Sequence, residues 1–431
     1  MSYLEKYLLK GHSSSVEIIA GITTFLTASY IIFVNPAILS QAGMDHGALI
    51  SVTCFASAIG TLLMALWPRV PIMMAPGMGL NAYFTYSVVQ ATGVSWQIAL
   101  GMVFLSSVLF LLLTILGLRE KVIQAVPHAL RMSIPVGIGL FIAFIGLKQL
   151  GLIQAHPETL VTIGKMRNIQ LILGFLGLLL IAFFEIKKIK GSILLGIFII
   201  TLFGAFIGLI EFPNEFISLP PSIAPLAFKM DILNALKIAY IPVIFSFMYV
   251  ALFDSLGTLV AISYQAGFVN EKGEIPGLGR MLMADALGAT AGSVLGTSTV
   301  TAYIESGSGV AAGGKTGFTS LVVAVLFALA SFFSPLIAVV PNFAVAPALI
   351  IVGIFMIRHI KEIDFNSFDL ALPSFLTIIL MPLTYSIANG LCFGFISYFL
   401  IKLFSGKFKE ISITLVIIVI LSFMHLITIT S

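Results

Sequence analysis

Three of the 18 Asp and Glu residues stand deep inside apolar stretches: Asp254, Asp285 and Glu305. A charged side chain at a bilayer centre costs at least about 2.5–3.5 kcal/mol on insertion scales, so an intramembrane acid faces the protein interior and is a functional candidate by default. The structural alternative is a carboxylate satisfied by hydrogen bonds between helices, and Asp285 has Arg280 about 1.4 helical turns away as such a partner. Two irregular segments accompany these acids. PIMMAPGMGLN at 71–81 carries two prolines and two glycines, and LGTSTVTAYIESGSG at 295–309 is dense in Thr, Ser and Gly. Broken backbone at membrane depth is tolerated only where it is buried in protein or lines a cavity. Paired interruptions at matching places in two halves of a chain point to the midplane site of a transporter. Glycines that merely let helices approach closely are the plainer alternative, and they fit the pairing poorly. Both segments lack Lys and Arg, which argues against an inorganic anion as cargo. Carboxylates that accept N–H groups, the carboxamide of Asn81 and the rings of Tyr83, Phe84 or Tyr303 suit a small planar heterocycle.

The elements that must hold these residues are membrane spans. The chain has 431 residues, 59% hydrophobic and 9% charged, against roughly 25% charged in soluble proteins. That excludes a soluble enzyme and predicts an all-α polytopic membrane protein. Apolar runs long enough to cross a bilayer fall at 17–39, 47–67, 72–89, 95–117, 127–149, 168–184, 192–209, 238–265, 279–295, 297–311, 316–338, 343–358, 368–384 and 387–404, which makes fourteen. A further apolar stretch at 411–430 is either a fifteenth span or an interfacial helix. Every second loop is basic, with Lys6, Lys10, Arg69, Arg119, Lys121, Lys187, Lys188, Lys190, Lys272, Arg280, Lys315, Arg358, Lys361, Lys402, Lys407 and Lys409. By the positive-inside rule the N-terminus is cytoplasmic. Met1 to Ser15 reads as polar and without a signal cleavage site, so the first span is expected to be retained. Cys54 and Cys392 lie in apolar segments with no disulfide or metal spacing. The net charge of +4 reflects topology and no nucleic-acid partner is expected.

Three short matches recur in order: QAGM at 41–44 with QAGF at 265–268, NAYF at 81–84 with TAYI at 301–304, and VPH at 126–128 with VPN at 340–342. Seven spans separate each pair, and an odd number inverts the second copy. The expected organisation is a first inverted repeat at 1–210, a Pro-rich linker at 211–237, a second repeat at 238–404 and a C-terminal apolar segment at 405–431. Segments 3 and 10 are broken, with short extended stretches. Thr301 is the repeat counterpart of Asn81, and Tyr30 that of Asp254.

GITTFLTASYIIFVNP at 21–36, APGMGLNA at 75–82, FDSLGT at 253–258 and GTSTVTAYIES at 296–306 resemble the adenine/guanine/hypoxanthine permeases. These are the AzgA-like branch of the nucleobase:cation symporters, related to uracil and xanthine permeases. The resemblance covers essentially the whole chain. It implies a core domain from segments 1–4 and 8–11 and a gate domain from segments 5–7 and 12–14, with substrate between them. It further implies that Asp254, Glu305 and Asn81 hold a purine nucleobase, with Tyr30 and Thr301 facing the same pocket. Asp285, within ADALG at 284–288, is implied to support the site and its coupling. Dimers are expected from related permeases.

The function so implied is import of adenine, guanine or hypoxanthine across the cytoplasmic membrane by proton symport and alternating access, with no cofactor. A carboxyl removed from water holds a proton more readily, which makes Glu305, Asp254 or Asp285 the coupling group. Sodium coupling, and an anion transporter of the same fold, are the alternatives. An intramembrane enzyme is not expected: neither Gly-x-Gly-Asp nor His-Glu-x-x-His occurs, and the six histidines show no ligand spacing. GGKTG at 313–317 lacks the first glycine of a phosphate loop and reads as a turn.

Overall fold

The computed structural model describes residues 8, 9, 11–117, 126–165, 167–213, 215–271 and 274–430. Of the predicted basic loop residues, Lys6, Lys10, Arg119, Lys121 and Lys272 lie outside the described residues. The first crossing is α1 (Ser14–Ala28) followed by α2 (Ile31–Leu39), a break the hydropathy pattern does not reveal. Its cause is local: Thr27 Oγ1 donates to the Thr23 and Thr24 carbonyls, both at 2.9 Å, and Ser29 Oγ to Leu26 O. Hydroxyls that compete for helix carbonyls bend a helix. The chain returns in α3 (His46–Leu66), capped by Asp45, whose side chain accepts from Ala48 N.

The third segment is broken as expected. A strand, β1 (Met74–Pro76), leads into the short helix α4 (Met78–Ala82) and then π-helical turns over Tyr83–Gln90. Pro71 and Pro76 have no N–H to give to a helix ladder. Then come α5 (Trp96–Ile115) and α6 (His128–Gln149), an antiparallel hairpin β2 (Ile153–His156) and β3 (Leu160–Ile163), α7 (Ile169–Ile186) and α8 (Ser192–Phe206).

The 211–237 linker is strapped down rather than loose. Phe228 N donates to Val294 O and Asp231 N to Gln97 O, both at 2.9 Å. Leu226 is wholly buried against Gly296, whose φ of +98° and lack of a Cβ permit that contact. Asp231 caps α9 (Ile232–Ala235), and the two hydrogen bonds from Asn234 hold its carboxyl below the ordinary range.

The second half consists of α10 (Ile241–Ala266), α11 (Leu278–Leu295), β4 (Val300–Ala302), α12 (Ser306–Ala311), α13 (Gly317–Ala330), α14 (Ser334–Ala338), α15 (Asn342–Ile357), α16 (Phe368–Leu383) and α17 (Ile387–Phe404). Segment 10 is thus broken as segment 3 is, by β4 and α12. Helices α6, α7, α15, α16 and α17 pack mainly on one another, while α1, α3, α5, α11 and α13 form a second packed group.

The undecided stretch at 411–430 is a helix, α18 (Ile413–Thr430), of 18 residues, about 27 Å at 1.5 Å per residue. It runs back along α17: Ile418, Ser422 and His425 share a small cavity with Leu391, Cys392 and Phe395 of α17 and with Pro242, Ser246 and Tyr249 of α10. A clasp sets the turn before it. Buried Lys402 reaches Asp369 and Glu410, both at 2.7 Å, and Lys407 reaches Asp369 at 2.9 Å. Among the described residues nine helices are long and apolar enough to span a bilayer. The other crossings are shorter, less apolar or broken. The molecule is a multi-pass, all-α membrane protein with a seven-plus-seven inverted repeat.

Candidate functional site

The two broken segments meet at the centre. β1 and β4 pair antiparallel, Met74 opposite Ala302, Ala75 opposite Thr301 and Pro76 opposite Val300. Gly77 N to Thr299 O at 2.9 Å and Tyr303 N to Met73 O at 3.1 Å extend the pairing. A two-stranded ribbon has two open edges, and no water is available at this depth to satisfy them. Side chains do so instead. Thr61 Oγ1 accepts from Met74 N at 2.9 Å and donates to Met74 O at 3.0 Å, closing the edge of β1. Asp285 Oδ1 accepts from Ala302 N at 3.2 Å, closing the edge of β4.

The predicted site residues cluster around this ribbon. Thr301 Oγ1, on β4, lies 3.4 Å from Asp254 Oδ2 on α10 and donates to it. Glu305, in the turn from β4 to α12, accepts a short hydrogen bond from the hydroxyl of Tyr30 at the break between α1 and α2. Asn81, on α4, accepts a short hydrogen bond from Ser298 Oγ and donates through Nδ2 to Asn35 Oδ1 at 2.6 Å. Tyr30, Asn81, Thr301 and Asp285 are buried, whereas Asp254 and Glu305 are only half-buried. The two partly open groups are therefore both carboxylates, each backed by a hydroxyl donor. Of the rings named as possible covers, Tyr83 packs on Phe247 with centroids 4.7 Å apart, Phe84 is wholly buried, and Tyr303 donates to Pro76 O at 2.5 Å.

Beside the carboxylates one stripe of α10 is open. Asp254, Gly257, Thr258 and Ala261 lie on one stripe of α10 and are at least partly exposed, and nothing comes within 4 Å of where a Gly257 Cβ would be. This stripe runs toward the C-terminal end of α10, where Gln265 Nε2 donates to Gly307 O at 2.9 Å. Toward the other face, polar contacts tie the π-helical part of segment 3 to the end of α6 and to the turn between α16 and α17. Ser87 Oγ donates to Tyr385 O at 2.8 Å, and Gln149 Nε2 to Tyr86 Oη at 3.1 Å. The Tyr385 ring is packed edge-on by Tyr86, Phe141 and Phe144.

Sequence reasoning passed over several polar residues that build the site. Asn35, Thr53, Thr61 and Ser298 are buried and hydrogen-bonded. Their signal in the sequence is a polar side chain inside an apolar run. Glu17, the first residue of the first predicted span, is wholly buried. It accepts from Lys315 N at 3.1 Å, Thr316 N at 3.3 Å and the Thr319 hydroxyl, capping α13 from another helix.

Known proteins share this sequence and this fold. The adenine permease AdeP of Escherichia coli is 43% identical, covering 95% of this chain and 92% of its own length. The guanine/hypoxanthine permease PbuG of Bacillus subtilis is also 43% identical, covering 93% of each chain. The transmembrane domain of the cyanobacterial bicarbonate transporter BicA superposes with a TM-score of 0.67 at 15% identity, covering 87% of this chain and 97% of that domain. The sequence profile of the Permease family matches residues 15–393, and the chain belongs to that family.

Proposed function

We propose that the protein imports purine nucleobases, adenine, guanine or hypoxanthine, by proton symport with alternating access. The observation that carries this reading is the pair of half-buried carboxylates, Asp254 and Glu305, beside open space at the meeting of the two broken segments. Purines present N–H groups that carboxylates accept, and the relatives named above are adenine and guanine/hypoxanthine permeases. In this reading Asp254 and Glu305 hold the base, with Asn81 and Thr301 completing the polar set. Tyr30 orients Glu305, and Asp285 holds the ribbon and relays the proton. Segments 1–4 and 8–11 form a core that moves against a gate of segments 5–7 and 12–14. Closed contacts on one face and an open stripe on the other support such a cycle. The basic loops support placing the open face in the cytoplasm of a cell whose inner membrane holds the protein.

The test is uptake of radiolabelled adenine, guanine, hypoxanthine, xanthine and uracil into cells lacking their own nucleobase permeases. Wild type and Glu305→Ala are compared with and without a protonophore, and with a sodium gradient at equal pH. Protonophore-sensitive purine uptake that the substitution abolishes is the expected result. Accumulation driven by sodium alone overturns the coupling, and no accumulation of any base overturns the substrate.

A further inference from the structure

Asn35, wholly buried on α2 beside Pro36, stands where segments 1, 2, 3 and 10 meet. Its Nδ2 lies 2.6 Å from Thr53 Oγ1 on α3 and 3.2 Å from Thr297 Oγ1, and its Oδ1 lies 2.6 Å from Asn81 Nδ2. The order of donors along this chain of contacts is forced. Thr53 Oγ1 lies 2.6 Å from the Leu49 carbonyl oxygen, which has no proton to give. Two oxygens that close need a proton between them, and a hydroxyl has one. Thr53 therefore donates to Leu49 and can only accept from Asn35. The Asn35 atom facing Thr53 must be the NH2, which leaves its carbonyl oxygen facing Asn81. The Asn81 atom in contact must then be its own NH2, and its carbonyl oxygen takes the hydroxyl proton of Ser298. Orientations of carboxamides are assigned from such networks, and here a backbone carbonyl anchors the whole chain.

We infer that Asn35, anchored by Thr53, is a positioning residue for base recognition: it fixes which way the carboxamide of Asn81 faces. The inference rests on the proposed reading that Asn81 meets the purine. Asn81 carries two N–H groups and two oxygen lone pairs, and the network uses one of each. One donor and one acceptor are left in fixed order. An amino purine and an oxo purine differ in that order at ring position six, so a fixed carboxamide discriminates between them, whereas one free to flip serves both.

Thr53→Val removes the anchor with almost no change in volume and frees both carboxamides to turn over. The experiment measures dissociation constants of the purified protein for adenine and hypoxanthine. Five forms are compared: wild type, Thr53→Val, Thr53→Ser, Asn81→Ala, and Thr53→Val combined with Asn81→Ala. The expected result is that Thr53→Val shifts the ratio of the two constants about tenfold toward one, the worth of one misdirected hydrogen bond. Thr53→Ser, which keeps the hydroxyl, retains the wild-type ratio. With Asn81→Ala already present, Thr53→Val changes nothing further. Retention volume and melting temperature, recorded for each form, report folding separately. If Thr53→Val weakens both bases equally, or adds the same factor without Asn81, the residue is structural only and the inference is overturned. If Asn81→Ala alone binds both bases as wild type does, the reading of Asn81 as a base contact falls, and this inference with it. A protein that binds neither base in any form overturns the functional reading itself.

Discussion

Tyr30→Phe isolates one interaction in the site. The ring of Tyr30 is fully buried, so phenylalanine preserves its packing and removes only the hydroxyl. Among the described residues that hydroxyl is the side-chain donor seen on Glu305. Without it the carboxylate is free to sample other rotamers before a base arrives and must be ordered on binding. Immobilising a flexible side chain costs about 0.5–1.5 kcal/mol, which weakens the dissociation constant for the base about 2- to 12-fold. Glu305→Ala removes the acceptor itself. A hydrogen bond to a charged group contributes about 1.5–3 kcal/mol, so that loss is about 10- to 150-fold. The assay is equilibrium binding of radiolabelled adenine and hypoxanthine to purified protein, with wild-type melting behaviour required of both variants. Two results refute the reasoning. If Tyr30→Phe binds within twofold of wild type, the hydroxyl does not order Glu305. If it is as damaging as Glu305→Ala, Tyr30 does more than orient its neighbour.

Other consequences can be measured directly. Glu17→Ala leaves the buried N–H of Thr316, just before α13, without an acceptor at about 1–3 kcal/mol, and the partly exposed N–H of Lys315 at less; the melting temperature in detergent falls clearly, and less so for Glu17→Gln. An unchanged melting temperature would falsify the capping role. Gly79→Ala places a methyl group 2.6 Å from Ile138 Cγ2, a stiff β-branched neighbour. It removes most uptake, and adding Ile138→Ala recovers part of it; absence of recovery means the clash is not the cause. Ser87→Cys with Tyr385→Cys, joined by a short bifunctional maleimide, fixes the closed face at a contact now 2.8 Å long. Uptake stops after linking, and continued uptake at the unlinked rate shows that these segments do not separate during transport.

The fold was legible because membrane burial writes it in long apolar runs, and the inverted repeat because three short matches survive in order. Breaks in segments 3 and 10 followed from Pro71, Pro76 and the glycines, which cannot sustain a lipid-exposed helix. The break at Ser29-Tyr30 was not legible. It arises from hydroxyls bonding the preceding carbonyls, and Ser and Thr do this in some helices while leaving others straight. The acids of the site stood out because charge is costly in a membrane, but the neutral scaffold of Asn35, Thr53, Thr61 and Ser298 carries no such penalty in the sequence. Which of these polar groups meet depends on segments up to 262 residues apart, as Asn35 and Thr297 are. Glu17 shows the same limit from the other side: it is charged and buried, yet its place in the first turn of a span makes it look solvated.

An inverted repeat gives a transporter two end states related by a pseudo-two-fold rotation, because each is reached when the two halves exchange conformations. Left to the repeats alone, the two states would be close to equal in energy. Among the described residues three features have no partner in the other half: the hairpin at β2 and β3, the strapped linker, and α18 with its Lys402 clasp. Of these, α18 rests on α10 and α17 together, so it touches one segment of the proposed core and one of the proposed gate. Its contacts bridge those two segments in the conformation described. If the protein works by the proposed cycle, this fifteenth helix is the element that makes its two end states unequal, and shortening the chain before Ile413 shifts the balance between them.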